Sequence, residues 1–130
     1  MISESAILDL AMGPSLAPVL RRVVSAVAAQ GGLSVDRISD LLIIVDAVAA
    51  GARHEMPDGR LRVAVTPSPG RVTIRMGPLP AGGAASLAEA CRVPELGSVL
   101  EALADRVQTE ADGAGDFLTV MVGAEDPAGT

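Results

Sequence analysis

The residues that could carry chemistry in this 130-residue chain lie close together, at Asp46, Arg53 and His54. They fall in a stretch whose apolar spacing predicts a helix, on which residues separated by four, seven and eight positions share one face. A carboxylate on that face could act as a base. Ala50 lies one turn after Asp46 and could not assist with a metal ion, because a methyl group offers no oxygen ligand.

Asp46 also makes a structural demand on its surroundings. The predicted helix is strongly apolar, and the five residues Leu41–Val45 immediately precede Asp46. Burying an unpaired carboxylate in such surroundings is costly. We therefore expect Asp46 to be hydrogen-bonded or to line a cavity. Arg53 and His54 have a simpler interpretation, since cations in the last turn of a helix interact favourably with its dipole.

Several other kinds of reactive site lack the residues they need. The chain has one cysteine, Cys91, and one histidine, His54, so it can form neither an internal disulfide nor a Cys/His zinc site. A Ser-His-Asp arrangement would have to use His54, and no nucleophile-elbow motif accompanies it. We expect no metal site.

The composition is that of an acidic, aliphatic protein. The net charge of −6 and the isoelectric point of about 4.6 disfavour nucleic-acid binding through phosphate neutralisation and permit docking to a basic protein surface. Phe117 is the only aromatic residue although 49% of the chain is hydrophobic, so the core must be aliphatic. The first residues lead us to expect no secretion signal, and no run of about 18 apolar residues is present. We expect a cytoplasmic protein that does not bind membranes.

The elements that would position these residues follow from capping and periodicity. Ser15 and Ser34 are placed to cap two successive helices, the first of which ends at Gly31-Gly32. Alternating apolar residues predict strands, and the sequence Pro67–Gly70 between two of them favours a tight hairpin. The predicted strands are 5–10, 60–66, 71–76, 107–111 and 117–122, and a third helix is predicted at 95–107.

This order predicts an α+β fold, a two-layer sandwich with three helices on one face of a mixed, mostly antiparallel five-stranded sheet. We assign residues 1–123 to one domain and 124–130 to a flexible tail. Residues 77–92 are rich in glycine, alanine and proline without a clear period, which favours a lid or a disordered connection. The outward sheet face carries four arginines without nearby carboxylates, either solvated or available to an acidic partner. They are Arg60, Arg62, Arg71 and Arg75.

The segment LLIIVDAVAAGARH, residues 41–54, resembles the N box of the GHKL (Bergerat-fold) ATPases, and more narrowly that of the anti-sigma factor serine kinases. The resemblance covers roughly residues 5 to 122. GPSLAPVLRRVVSAVAAQGGLS is similar to the family's opening helix, and VLEALADRVQTE to its last helix and following strand. In the family, an acidic N-box residue orients or deprotonates the attacking hydroxyl and an Asn holds Mg²⁺. Asp46 and Ala50 occupy these two positions, and Arg53 and His54 match the end of the box.

The glycine boxes of the family are altered as well. The first normally begins with an Asp that accepts from the adenine amino group, whereas the matching stretch IRMGPLPAGG has no acidic residue. The second normally places glycines at the start of the last helix, where free N–H groups bind phosphates. Those positions fall near Pro94 and Leu96 here. The resemblance implies a residual pocket that holds no cofactor, formed by Asp46, Ala50, Arg53, Gly77 and Gly97.

The resemblance implies a regulatory protein similar to an anti-sigma factor, acting by protein–protein binding. Its partner would be a sigma factor, a STAS-type antagonist or both, and the predicted partner-binding residues are Arg21 and Arg22 of the opening helix. A homodimer is expected because members of the family are often dimers. Two alternatives stay open. One is an active serine/threonine kinase that binds ATP with Mg²⁺ and uses Asp46, and the other is an unrelated small α/β interaction domain.

Overall fold

The computed structural model describes residues 5–56, 58–95 and 97–123, so the expected tail at 124–130 lies outside the described residues. Within those ranges the chain forms four helices and seven strands. The helices are α1 (Leu16–Gln30), α2 (Val35–Glu55), α3 (Gly83–Ala90) and α4 (Val99–Leu103). The strands are β1 (Ala6–Ala11), β2 (Arg60–Ser68), β3 (Arg71–Leu79), β4 (Arg92–Val93), β5 (Gly97–Ser98), β6 (Arg106–Asp112) and β7 (Gly115–Gly123).

Five of these strands form one sheet in the order β1-β2-β3-β7-β6, while β4 and β5 pair separately as a small two-stranded sheet. Neighbouring strands of the larger sheet run antiparallel throughout. The predicted α+β two-layer sandwich is therefore confirmed, with a fully antiparallel sheet. Tight hairpins close at Ser68 with Arg71 and at Asp112 with Gly115.

The core lies between the sheet and the helices and is aliphatic, as the composition predicts. Alternate residues of the central strands point toward the helices and are buried; they are Leu61, Val63, Val65, Val72, Ile74, Met76, Leu118, Val120 and Val122. The helix layer covers them with Leu20, Val24, Leu41, Val45 and Val48 among others. The alternation of apolar residues that predicts strands at 60–66 and 71–76 is confirmed.

The helix α2 lies centrally in the helix layer, in contact with α1, α3 and α4. Its start is fixed by Ser34, whose hydroxyl accepts a hydrogen bond from the Arg37 N–H at 3.2 Å. Its buried residues spread around much of the helix, because neighbouring helices cover it on more than one side. Ile43 is an exception, with half of its surface exposed.

The glycine-rich stretch 77–92 forms regular secondary structure, so the prediction of a disordered connection is wrong. Its first residues extend β3 to Leu79, and the rest forms α3 and β4. The small helix α3 buries Ala84 and Leu87, and Cys91 follows it in the core. Large apolar side chains are few and irregularly spaced in this stretch. It therefore packs on the core although its sequence shows no helical or strand periodicity.

Two further expectations need correction. The third predicted helix, at 95–107, is reduced to α4, because β5 precedes it and β6 begins at Arg106. Three of the four outward arginines of the sheet, Arg60, Arg62 and Arg75, do meet carboxylates. Arg60 Nε lies 2.9 Å from Asp9 Oδ1, and Arg75 lies 3.4 Å from Glu110 and 3.5 Å from Asp112. Asp9 comes from β1, the neighbour of β2, whereas Glu110 and Asp112 come from β6, which lies beyond β7 from β3.

Candidate functional site

The face of α2 that carries Asp46, Ala50 and Arg53 points away from the core. The opposite face is buried through Leu41 and Val48, and the helical repeat therefore leaves the three predicted site residues exposed. Asp46 has 55% of its side chain exposed. The sequence correctly predicts that these residues share a face, and the structure shows that this face is an outer surface of the helix layer.

Asp46 is paired with Arg21 of α1. Arg21 Nη1 donates to Asp46 Oδ2 at 2.7 Å and also lies 3.5 Å from the carbonyl oxygen of Leu42. The expectation that Asp46 requires a hydrogen-bond partner is confirmed. One of the two predicted partner-binding arginines thus has an intramolecular role, while the neighbouring Arg22 is exposed.

Gly77, expected in the residual pocket, belongs to β3 and packs closely against β7. A Cβ atom at this position would lie 2.6 Å from the Asp116 carbonyl oxygen and 2.7 Å from the ring of Phe117, and the backbone φ of +143° disfavours other residues. The guanidinium of Arg75 stacks on the same ring, 3.6 Å from its centroid. Gly77 is explained by this close approach of two strands, without any ligand.

The helix α3, which belongs to the glycine-rich stretch 77–92, packs directly against α2. A Cβ atom at Gly51 would lie 3.2 Å from the Ala90 Cβ and 3.4 Å from Leu87 Cδ1, so the two helices approach closely there. A cavity of about 240 Å³ remains at the end of this contact. It is lined by Glu55, Met56, Leu79, Pro80, Ala81, Gly82, Gly83, Ser86 and Leu87.

Gly97, the last predicted pocket residue, belongs to the β4–β5 hairpin and pairs with Val93. Leu96 lies outside the described residues. Ser98 caps α4 by accepting from the Glu101 N–H at 3.2 Å, but α4 has only five residues. A shallow cavity of about 590 Å³ beside the hairpin is lined by Glu89, Arg92, Val93, Pro94, Glu95 and Gly97.

The predicted pocket residues therefore lie in three separate neighbourhoods. Asp46 contacts α1, Gly77 contacts Phe117 of β7, and Gly97 lies in the β4–β5 hairpin. Asp46, Ala50 and Arg53 contribute to neither of the two cavities just described. The residues present do not fit a Mg²⁺–ATP complex, since Ala50 supplies no ligand and the Asp46 carboxylate is already engaged by a guanidinium. Within the described ranges there is no cluster of three or more His, Cys, Asp or Glu side chains that could hold a metal ion.

One important polar cluster was not predicted from the sequence. Only 13% of the Arg37 side chain is exposed, and its guanidinium bonds to Asp40 at 2.9 Å, Asp105 at 3.0 Å and the Gly123 carbonyl oxygen at 2.9 Å. Asp105 in turn accepts from the Gly123 N–H at 2.6 Å. The cluster joins α2 to the ends of α4 and β7. Only its Arg37–Asp40 pair, three residues apart on one helix, could have been found in the sequence.

Cys91 is a second buried group that the sequence left without a role. It is 2% exposed, and its thiol donates to the Leu87 carbonyl oxygen at 3.3 Å. Burial raises the pKa of the Cys91 thiol to about 11. The thiol therefore stays protonated at neutral pH and is a structural side chain.

The sequence matches no protein-family profile and no curated protein. None of the helices in the described part of the chain is both long enough and apolar enough to cross a membrane.

Proposed function

We propose that this protein is a regulator resembling an anti-sigma factor, which acts by binding another protein and does not turn over nucleotide. The observation that supports the proposal most directly is that the Asp46 carboxylate is paired with an arginine and has no metal ligand beside it. The carboxylate is held by Arg21 at 2.7 Å on a half-exposed helix surface, and the next residue on that surface is Ala50. The N-box-like spacing is retained while the groups that kinase chemistry requires are missing.

The loss of those groups argues against phosphoryl transfer on physical grounds. This reaction depends mainly on metal ions that neutralise phosphate charge and on exact positioning of the nucleophile. Ala50 cannot bind Mg²⁺, and it lies on the exposed outer face of α2. Gly77 and Gly97 serve turns and packing elsewhere.

The surface formed by Arg22, Ile43, Asp46, Ala50 and Arg53 is the proposed binding surface, which we call the α1–α2 surface. It combines an apolar side chain, Ile43, at 50% exposure with an exposed cation on α1 and another on α2. An apolar contact surrounded by charged groups is a common composition for a regulatory interface. The partner we propose is a sigma factor or a STAS-type antagonist, met in the cytoplasm, and neither nucleic acid nor membrane is involved.

Binding to purified partners tests this proposal. Sigma factors and STAS proteins encoded beside the gene would be titrated against the immobilised chain by interferometry. We expect at least one to bind, and the Arg22→Glu and Ile43→Glu variants to weaken its affinity by about tenfold or more. Arg62→Glu is the matched control, because Arg62 is also exposed, at 61% of its side chain, but lies on the sheet.

Two results would overturn the proposal. If none of these proteins binds, the regulatory assignment fails. If a STAS partner gains phosphate on serine when ATP and Mg²⁺ are added, the protein is instead an active kinase.

A further inference from the structure

The strand β6 forms one edge of the five-stranded sheet. In the described part of the chain it pairs with β7 and with no other strand, and Gln108, Thr109, Glu110, Ala111 and Asp112 are all exposed. An edge strand presents a row of backbone N–H and C=O groups to any strand of matching length. Seven residues is sufficient for such pairing.

The hairpin fixes which backbone groups of β6 are available. Asp112 and Gly115 close a two-residue turn, and the closing residues of such a turn exchange hydrogen bonds with each other. Bonding alternates along an antiparallel pair, so Glu110 and Gln108 also bond to β7. The N–H and C=O groups of Val107, Thr109 and Ala111 therefore point outward from the sheet edge.

We propose that β6 pairs with β6 of a second copy of this chain, antiparallel and about a two-fold axis at Thr109. This register aligns the outward groups of Val107 with those of Ala111 in the other copy, and Thr109 with itself. All seven residues of β6 are then paired, and the two sheets join into one continuous sheet. The proposal is independent of what the α1–α2 surface binds.

The charges of β6 are complementary to themselves in this register. Arg106 lies opposite Asp112 of the other copy, and Gln108 lies opposite Glu110, and each contact occurs twice because of the symmetry. All four side chains are on the open face of the sheet, and directly opposed residues of opposite charge stabilise an antiparallel pair. Glu110 and Asp112 remain about half exposed although both lie near Arg75, so they can accept these contacts.

The helix layer leaves room along this edge. Thr109 and Ala111 lie on the side of the sheet that faces the helices, yet both are exposed. A groove of about 440 Å³ lies beside Thr109, and Leu100, Ala104 and Val107 are among its other lining residues. In the described residues the helices therefore leave this part of the β6 edge exposed.

The other edge of the sheet, β1, is a poorer match to itself. Its pairing with β2 directs the backbone groups of Ile7, Asp9 and Ala11 outward. An axis at Asp9 would place two carboxylates opposite each other, and like charges in that position destabilise a strand pair. Asp9 also bonds to Arg60 within the chain, through its side chain at 2.9 Å and its carbonyl oxygen at 3.0 Å.

Sedimentation velocity on purified full-length chain tests the proposal with two matched proline variants. Thr109→Pro removes an outward N–H from β6, and Ile7→Pro removes an outward N–H from β1; neither N–H bonds within the sheet. We expect the wild-type chain and Ile7→Pro to sediment as dimers. Thr109→Pro should raise the dissociation constant by about tenfold or more, with an unchanged far-ultraviolet circular dichroism spectrum.

A pair of substitutions at Gln108 tests the register without relying on proline. The cation introduced by Gln108→Lys would face Glu110 of the other copy, so the dissociation constant should fall, whereas Gln108→Glu should raise it, each by about two- to tenfold. The proposal is overturned if the wild-type chain stays monomeric at high micromolar concentration. It is also overturned if Thr109→Pro leaves the dimer intact, or if the two Gln108 variants change the dissociation constant in the same direction.

Discussion

Arg37 holds together three parts of the chain that are far apart in sequence. Its guanidinium bonds to Asp40, Asp105 and the Gly123 carbonyl oxygen while only 13% of the side chain is exposed. Removing a buried charge that satisfies several partners is strongly destabilising. We expect Arg37→Met to lower the free energy of unfolding by about 2–4 kcal/mol, measured by urea denaturation.

Arg60→Met is the control for that experiment. Arg60 also forms an ion pair, with Asp9 at 2.9 Å, but 61% of its side chain is exposed. Exposed ion pairs contribute about 0–1 kcal/mol, so this variant should remain close to wild type. Equal losses in the two variants would show that the Arg37 cluster has no special role.

Cys91 gives the protein a pH dependence in the alkaline range. Burial raises the pKa of the Cys91 thiol from the ordinary value of 9.0 to about 11. The folded chain therefore holds this proton more tightly than the unfolded chain, so the contribution is complete below pH 9 and is lost as pH rises toward 11. All ten basic residues are arginine and there is no tyrosine, so few other groups titrate in this window.

We expect the free energy of unfolding to fall by about 2–3 kcal/mol between about pH 9 and pH 11. Cys91→Val should lack most of this decrease, whatever its stability at neutral pH. Urea denaturation of both proteins at several pH values would measure the difference. Parallel pH profiles for the two proteins would assign the decrease to other groups.

At the residue scale, it is easier to predict from the sequence that a charged side chain has a hydrogen-bond partner than to predict which residue that partner is. The hydrogen bond expected for Asp46 is present, but 55% of its side chain is exposed, so the expected cost of burying an unpaired charge is not what requires the partner. That the partner is Arg21 depends on the packing of α1 against α2. Arg37 was missed for the same reason, since Asp105 and Gly123 reach it only through the tertiary fold.

At the scale of elements, strands with regularly alternating apolar residues can be predicted from the sequence. Elements whose few core contacts are irregularly spaced cannot. The strands β2 and β3 were found because Val63, Val65, Val72 and Ile74 repeat with the period of a buried sheet face. The helix α3 was missed because its one glycine and four alanines show little hydrophobic periodicity, and its core contacts depend on Leu87 and Ala84. The predicted third helix is shorter than expected because Ser98 caps it late and β6 begins soon afterwards.

The close contact between α2 and α3 leaves little room for a side chain at Gly51, which can be tested by substitution. A Cβ atom there would lie 3.2 Å from Ala90 Cβ, so a branched side chain would force the two helices apart. We expect Gly51→Val to lower the free energy of unfolding by about 1–3 kcal/mol, the usual cost of overpacking. Thermal or urea denaturation would measure it.

Ala50→Val is the matched control, because Ala50 is the preceding residue of the same helix and is exposed. It adds the same branched side chain type in solvent, where only the modest difference in helix propensity applies. A Gly51→Val variant as stable as Ala50→Val would mean that α3 does not pack closely on α2.

At the scale of the whole molecule, the two-layer architecture is predictable because apolar residues repeat with one period in the strands and with another in the helices. The strand order and the sheet edges depend on long-range pairing, and the sequence offers no direct evidence for the placement of β7 between β3 and β6. That placement creates the exposed β6 edge, where the charge pattern from Arg106 to Asp112 becomes interpretable.

The central claim is that this chain regulates by binding protein while its nucleotide chemistry is lost. Calorimetric titration of the full-length chain with ATP and ADP, with and without Mg²⁺, tests it most directly, with Ala50→Asn measured alongside. We expect no binding heat and no change in melting temperature for the wild-type chain, and none for Ala50→Asn, because restoring one Mg²⁺ ligand does not restore contacts to adenine and phosphate. Micromolar binding by the wild-type chain that strengthens with Mg²⁺ would contradict the claim.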